Sequence, residues 1–188
     1  MSYHKILASL LLSTSVLFSG NTVGLNINSE DFEIEGSLDV NSFSEYTNGT
    51  IFVVDGNLIN TNSDYLFGIG LSASNSYQAM DGLSMGLGAR YVSVDNYSAI
   101  PFMFEAAYAI PLIDSVPTAS FSGTLLYAPS VLSFDDAENY FEFRAEAAVE
   151  VISAVSLYVG YRDIEVDTIK NTTDTYNSSF YGGMKMSF

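Results

Sequence analysis

The chain has 188 residues, no cysteine and a formal net charge of −16, from 22 acidic and 6 basic residues. It can build no disulfide framework, thiolate metal centre or cysteine nucleophile, and such acidity is wrong for nucleic acid, which rewards clustered Lys and Arg. With 48% hydrophobic residues, 13 Phe and 13 Tyr, it is not a disordered chain either.

The first predicted element is an export segment. Met1–Lys5 is a short, positively charged lead, and Ile6–Phe18 is an apolar run too short to cross a membrane as a helix. Thr22 and Gly24 are small enough to sit at −3 and −1 of a cleavage before Leu25, which divides the chain into a signal peptide, 1–24, and one domain, 25–188. Gly20 is a second exit, weakened by Phe18 at −3. The one histidine, His4, lies in this segment, so the mature chain has none.

Beyond residue 25 the hydropathy alternates with period two, the signature of strands. Leu25–Ser29 and Asp31–Val40 open the series, the second with Phe32, Ile34, Leu38 and Val40 against Glu33, Glu35, Ser37 and Asp39. Thr50–Ile59 is a poorer strand carrying Asp55 and Asn57 on one face. Tyr65, Phe67, Ile69 and Leu71 oppose Gly68, Gly70 and Ser72, and Leu83, Met85, Leu87 and Tyr91 oppose Gly86, Gly88 and Arg90. Phe102, Phe104, Ala106 and Tyr108 oppose Glu105 and Ala107; Phe121, Leu125 and Tyr127 oppose Ser120, Ser122 and Thr124. Phe141, Phe143, Ala145 and Val149 then face away from Glu142, Arg144, Glu146 and Glu150, and Val155, Leu157, Val159 and Tyr161 from Tyr158, Gly160 and Arg162. The chain closes with Phe180, Gly182, Met184, Met186 and Phe188 against Tyr181, Gly183 and Lys185. Pro111–Val116 and Ile152–Ala154 are short connections, whereas Ala128–Asn139 and Asp167–Tyr176 read as longer polar loops.

Side-chain volume decides which face points inwards. A barrel of about eight strands has an interior that side chains only just fill. The Phe-, Leu- and Met-rich face would overfill it, while the Gly, Ser and charged face fits. The expected fold is therefore all-β: a closed, antiparallel, up-and-down transmembrane barrel with its bulky apolar face on lipid, and with Tyr65, Tyr91, Tyr108, Tyr127 and Tyr161 in aromatic girdles. Counting strands gives ten, or eight if the stretch up to about residue 45 stays outside the wall.

Four of the six basic residues, Arg90, Arg144, Arg162 and Lys185, share the lumen face with Glu33, Glu35, Asp39, Asp55, Glu105, Glu142, Glu146 and Glu150. This lumen charge network reads either as a plug of ion pairs or as a narrow, cation-preferring conduit. Catalysis is not expected, because the hydrolases of such membranes rely on a histidine base. Gly68-Ile69-Gly70 and Gly86-Leu87-Gly88 keep a strand face small, with no helix following to hold a phosphate. Asp163–Asp167 and Asp135–Glu138 read as solvated acidic loops that offer oxygen to divalent cations bridging to lipopolysaccharide, without the pattern of a dedicated metal site. No cofactor is expected.

The mature chain resembles small Gram-negative outer-membrane barrels, in particular the YfaZ family, at Thr47-Asn48-Gly49, Gly68-Ile69-Gly70-Leu71, Tyr127-Ala128-Pro129-Ser130 and Leu157–Arg162. Its end, Tyr181, Gly183, Met186 and Phe188, matches the signal read by the barrel-assembly machinery. The absence of Trp departs from the usual interface anchors and leaves that task to Tyr and Phe. The resemblance implies an outer-membrane location with membrane lipid, lipopolysaccharide and the assembly machinery as partners, and it brings no established activity.

Overall fold

The structure, a computed structural model, describes residues 21–41, 49–61, 64–94, 97–110, 118–168 and 172–188. The export segment up to residue 20, the Pro111–Val116 connection and Thr47-Asn48 lie outside the described residues. The described chain forms twelve strands: β1 (Thr22–Ile27), β2 (Asp31–Asp39), β3 (Ile51–Thr61), β4 (Asp64–Ser76), β5 (Leu83–Val94), β6 (Tyr97–Ala99), β7 (Phe102–Ala109), β8 (Ala119–Ala128), β9 (Ser133–Asp135), β10 (Ala137–Ile152), β11 (Val155–Thr168) and β12 (Thr172–Ser187).

Ten of these close into one antiparallel ring. Each wall strand pairs with the next, β4 with β5, β5 with β7, β8 with β10, and β12 returns to β1. The remaining two, β6 and β9, pair with each other, and β6 also pairs with the upper part of β5. Closure leaves the wall without a sheet edge and satisfies its backbone internally, the condition for crossing a membrane with strands. One rim, here the terminal rim, carries the start of β1 and the end of β12; the β6–β9 ladder lies at the opposite, far rim.

The alternation has a direct structural consequence. Phe67, Leu71, Leu87, Phe102, Phe104, Phe121, Leu157, Val159 and Phe180 are exposed on the outside of the barrel. Phe102, Tyr127 and Phe141 are register partners on three neighbouring strands. Tyr161 and Phe180 stack across β11 and β12 with ring centroids 5.1 Å apart, and the result is an aromatic row around the far side of the apolar belt.

Three expectations need correction. Asp167–Tyr176 is mostly strand, with β11 running to Thr168 and β12 starting at Thr172. Ala128–Asn139 is a compact turn containing a short 3-10 segment, Ser130–Leu132, and β9. These stretches lie beyond the apolar belt, so the hydropathy alternation fades, yet the ladder continues through Thr and Tyr, which favour strands. For the same reason Asp163, Glu165 and Asp167 are not a loop; they alternate along β11 with buried Arg162, Ile164 and Val166. At the other end, β1 takes Thr22, Val23 and Gly24 into its ladders with both β2 and β12, ahead of the expected mature start at Leu25.

Candidate functional site: the filled lumen

The lumen is built in three layers. Nearest the far rim, Ile59, Leu66, Val92, Val94, Leu126, Ile164 and Val166 point inwards and pack with Met103, Ala128 and Tyr140 into one apolar cluster. The β6–β9 ladder adds Ala99 to it, with Tyr97 and Leu132 packed alongside. Ile59, Leu66, Leu126, Ile164 and Val166 are each 0% exposed.

Beneath the apolar layer lies the charged one. Glu33, fully buried, accepts from Arg144 Nη1 at 2.9 Å, from Arg162 Nη1, from Asn57 Nδ2 at 2.7 Å and from Asn26 Nδ2 at 2.9 Å. Arg144 also donates through Nε to Glu142 Oε1 at 2.5 Å, and Tyr140 donates its hydroxyl proton to Glu142 Oε2 at 2.6 Å. Arg162, 0% exposed, donates from Nε to Asn177 Oδ1 at 3.1 Å and lies 3.5 Å from Asp31. Thr61 and Asn28 hold Asp31 in turn. Such a density of charge-assisted bonds offsets much of a burial cost of several kcal/mol per charged group, while Asn57 Oδ1, Arg144 Nη2 and Arg162 Nη2 have no hydrogen-bond partner among the described residues.

The third layer is looser. A cavity of about 170 Å³ reaches from Arg90 and Arg144 down to Thr22 and Ser37 near the terminal rim. On its wall Arg90 pairs with Asp55 at 2.5 Å, and Lys185 with Glu35 at 3.0 Å and Glu146 at 3.9 Å. Tyr181 donates to Glu146 at 2.8 Å, and Tyr158 to Glu35 at 3.3 Å.

Ten of the twelve charged residues read from the sequence thus line the lumen layers or the cavity. Nine of those ten make ion pairs, and Glu105 lines the cavity without one among the described residues. Asp39 and Glu150 stand apart: the first accepts from the backbone N–H of Asn41 and the second from that of Ala154, both at terminal-rim turns. The assembly-signal residues divide between the faces. Tyr181 is buried in the lumen, whereas Met186 and Phe188 are exposed on the outside. Gly183 lies opposite Tyr158, and Gly160 opposite Tyr181. An added Cβ on Gly160 would come within 2.6 Å of the Tyr181 ring, and one on Gly183 within 2.5 Å of the Tyr158 ring. Each tyrosine lies across the other strand's glycine, a cross-strand pairing that only glycine permits.

Sequence reasoning put Asn57 on the lumen face beside Asp55 but missed the apolar layer and three other neutral members of the charged one, Asn26, Tyr140 and Asn177. A signal for the first was present. On β11 the lumen parity runs Tyr158, Gly160, Arg162 and then Ile164 and Val166, so the polar face turns apolar towards one end.

No curated protein matches the chain. Among solved structures, the NanC porin is 13% identical with a TM-score of 0.46, covering 89% of this chain and 98% of its own. The KdgM porin is 10% identical with a TM-score of 0.42 over the same shares. The family model described as YfaZ precursor matches residues 7–188, from within the export segment to the last residue, and the chain belongs to the YfaZ family.

Proposed function

We propose that this is a closed, non-enzymatic outer-membrane barrel with a structural or surface-interaction role, its terminal rim in the periplasm and its far rim outside the cell. The observation that carries the reading is the apolar layer: seven inward Ile, Leu and Val side chains pack with Ala99 of the β6–β9 ladder into one buried cluster across the lumen near the far rim, which supports a barrel closed to ions. The charged layer beneath adds a second barrier made of side chains that bond one another. With no histidine in the mature chain, the Ser and Glu residues of the cavity lack the usual general base. The outer surface meets membrane lipid through the apolar belt and lipopolysaccharide at the acidic far rim, where divalent cations offset the like charge. Phe188 and its neighbours serve the assembly machinery.

The cavity supports a second reading, a narrow cation channel whose outer layer opens. Conductance of the purified barrel in planar bilayers separates the two. The closed barrel shows no unitary current across the voltage range it survives, and stable, cation-selective steps would replace it with the channel.

A further inference from the structure

On the lipid side of the wall lies an apolar groove of about 820 Å³. It crosses β8, β10, β11, β12 and β1, about 19 Å of wall at the usual strand spacing. Register builds it: Phe121, Ala147, Val159, Gly182 and Ile27 are successive partners on those five strands. Ala145 continues the floor, and Phe121 and Phe180 stand exposed beside it. Nothing within the protein requires glycine at 182. An added Cβ there would meet the Tyr158 carbonyl oxygen at 3.8 Å, an ordinary contact. Gly160 and Gly183 make room for tyrosines inside the lumen, whereas Gly182 leaves its room outside. Glycine within a strand weakens it and marks a close approach by a ligand or another backbone.

The far end of the groove is polar. The Tyr161 and Ser178 hydroxyls lie 3.0 Å apart, and one bond between them leaves one O–H proton to donate. Asp163 stands two residues beyond Tyr161 on the same face, about 7 Å further along β11, and Glu165 and Asp167 follow. Among the described residues Asp163 makes no ion pair, and every basic side chain turns to the lumen.

We infer that this groove binds an acyl chain of a glycerophospholipid with a primary ammonium headgroup, the ammonium meeting Asp163 and a lipid oxygen taking the free hydroxyl proton. The groove is continuous with the lipid-facing belt, so hydrocarbon is what surrounds it. A second copy fits poorly, because a two-fold contact presents the same patch twice, hollow against hollow. An anionic lipid would set phosphate against unpaired carboxylates and need a divalent cation between them; the ammonium supplies the opposite charge itself. The inference rests on the membrane-barrel reading, but not on which rim faces outside.

The test is native mass spectrometry of the refolded barrel in detergent micelles carrying phosphatidylethanolamine, phosphatidylglycerol or lipopolysaccharide. Only protein showing the folded, heat-shifted band is measured. One phosphatidylethanolamine should stay bound per barrel, with at least tenfold less phosphatidylglycerol. Gly182→Leu and Ala147→Leu fill the groove and should abolish retention, while Ala89→Leu, on the outer face of β5 away from the groove, leaves it unchanged. Asp163→Asn should erase the preference for the ammonium lipid. Retention unaffected by both groove substitutions, no preference between the phospholipids, or preferential retention of lipopolysaccharide overturns the proposal. So does a dimer that Gly182→Leu dissolves, which would give the groove to a second copy. A barrel that enters bilayers yet retains no lipid overturns this inference alone. A chain that neither shifts on heating nor enters bilayers overturns the membrane reading beneath it.

Discussion

Replacing Arg144 with Met tests whether the lumen is as dry as its packing implies. Arg144 is 8% exposed and holds two carboxylates, Glu33 at 2.9 Å and Glu142 at 2.5 Å. Glu33 would keep Arg162, Asn57 and Asn26, but Glu142 would keep only the Tyr140 hydroxyl among its hydrogen-bond partners. Breaking a buried pair from one side costs about 3–5 kcal/mol, because the stranded charge stays out of water. The same change in a water-filled bore costs at most about 1 kcal/mol. Urea unfolding of the barrel reconstituted in lipid vesicles should therefore show a loss of about 3–5 kcal/mol for Arg144→Met. The double variant Arg144→Met, Glu142→Gln should recover much of it, since the stranded charge is gone. A loss below about 1 kcal/mol, or no recovery in the double variant, would refute the dry, ion-paired interior.

Phe104, 40% exposed on the outside of β7, should cost about 2–4 kcal/mol as Phe104→Arg near the bilayer midplane, whereas Ala107→Ser on the lumen side should cost far less; the same unfolding assay checks both. Gly160→Val drives a side chain into the Tyr181 ring and should destabilise the barrel by about 1–3 kcal/mol, read as a lower urea midpoint. Deleting Phe188 should lower the folded amount recovered from cells while leaving refolding into detergent intact, because its ring is largely exposed and buries little. Sequencing the mature N-terminus should find Asn21 first, since cleavage after Gly24 would remove half of β1 and its pairing with β12.

Much of this protein follows from period and volume alone. Alternation marked strands because successive strand side chains point to opposite faces. The contrast between Phe104 and Gly86, or Leu87 and Arg90, told outside from inside, because a narrow barrel cannot house the bulky set. The same parity identified Arg90, Arg144, Arg162 and Lys185 as lumen residues. It could not say which carboxylate each would meet. Arg144 and Glu33 are 111 positions apart, and their contact exists only because closure of β12 on β1 brings β2 across the bore from β10. Parity puts Leu66 with Gly68 and Val92 with Arg90 on the lumen side, but it could not say that these apolar residues from separate strands gather into one layer. Only the closed ring, by fixing which side of each strand is enclosed, showed that one end of the lumen is packed with apolar side chains and the other is lined by polar ones around a cavity. The length of β12 beyond the membrane belt was hidden for a related reason: strands there need no alternation when both faces meet water, so Thr172–Tyr176 looks like loop until its pairing with β11 is known.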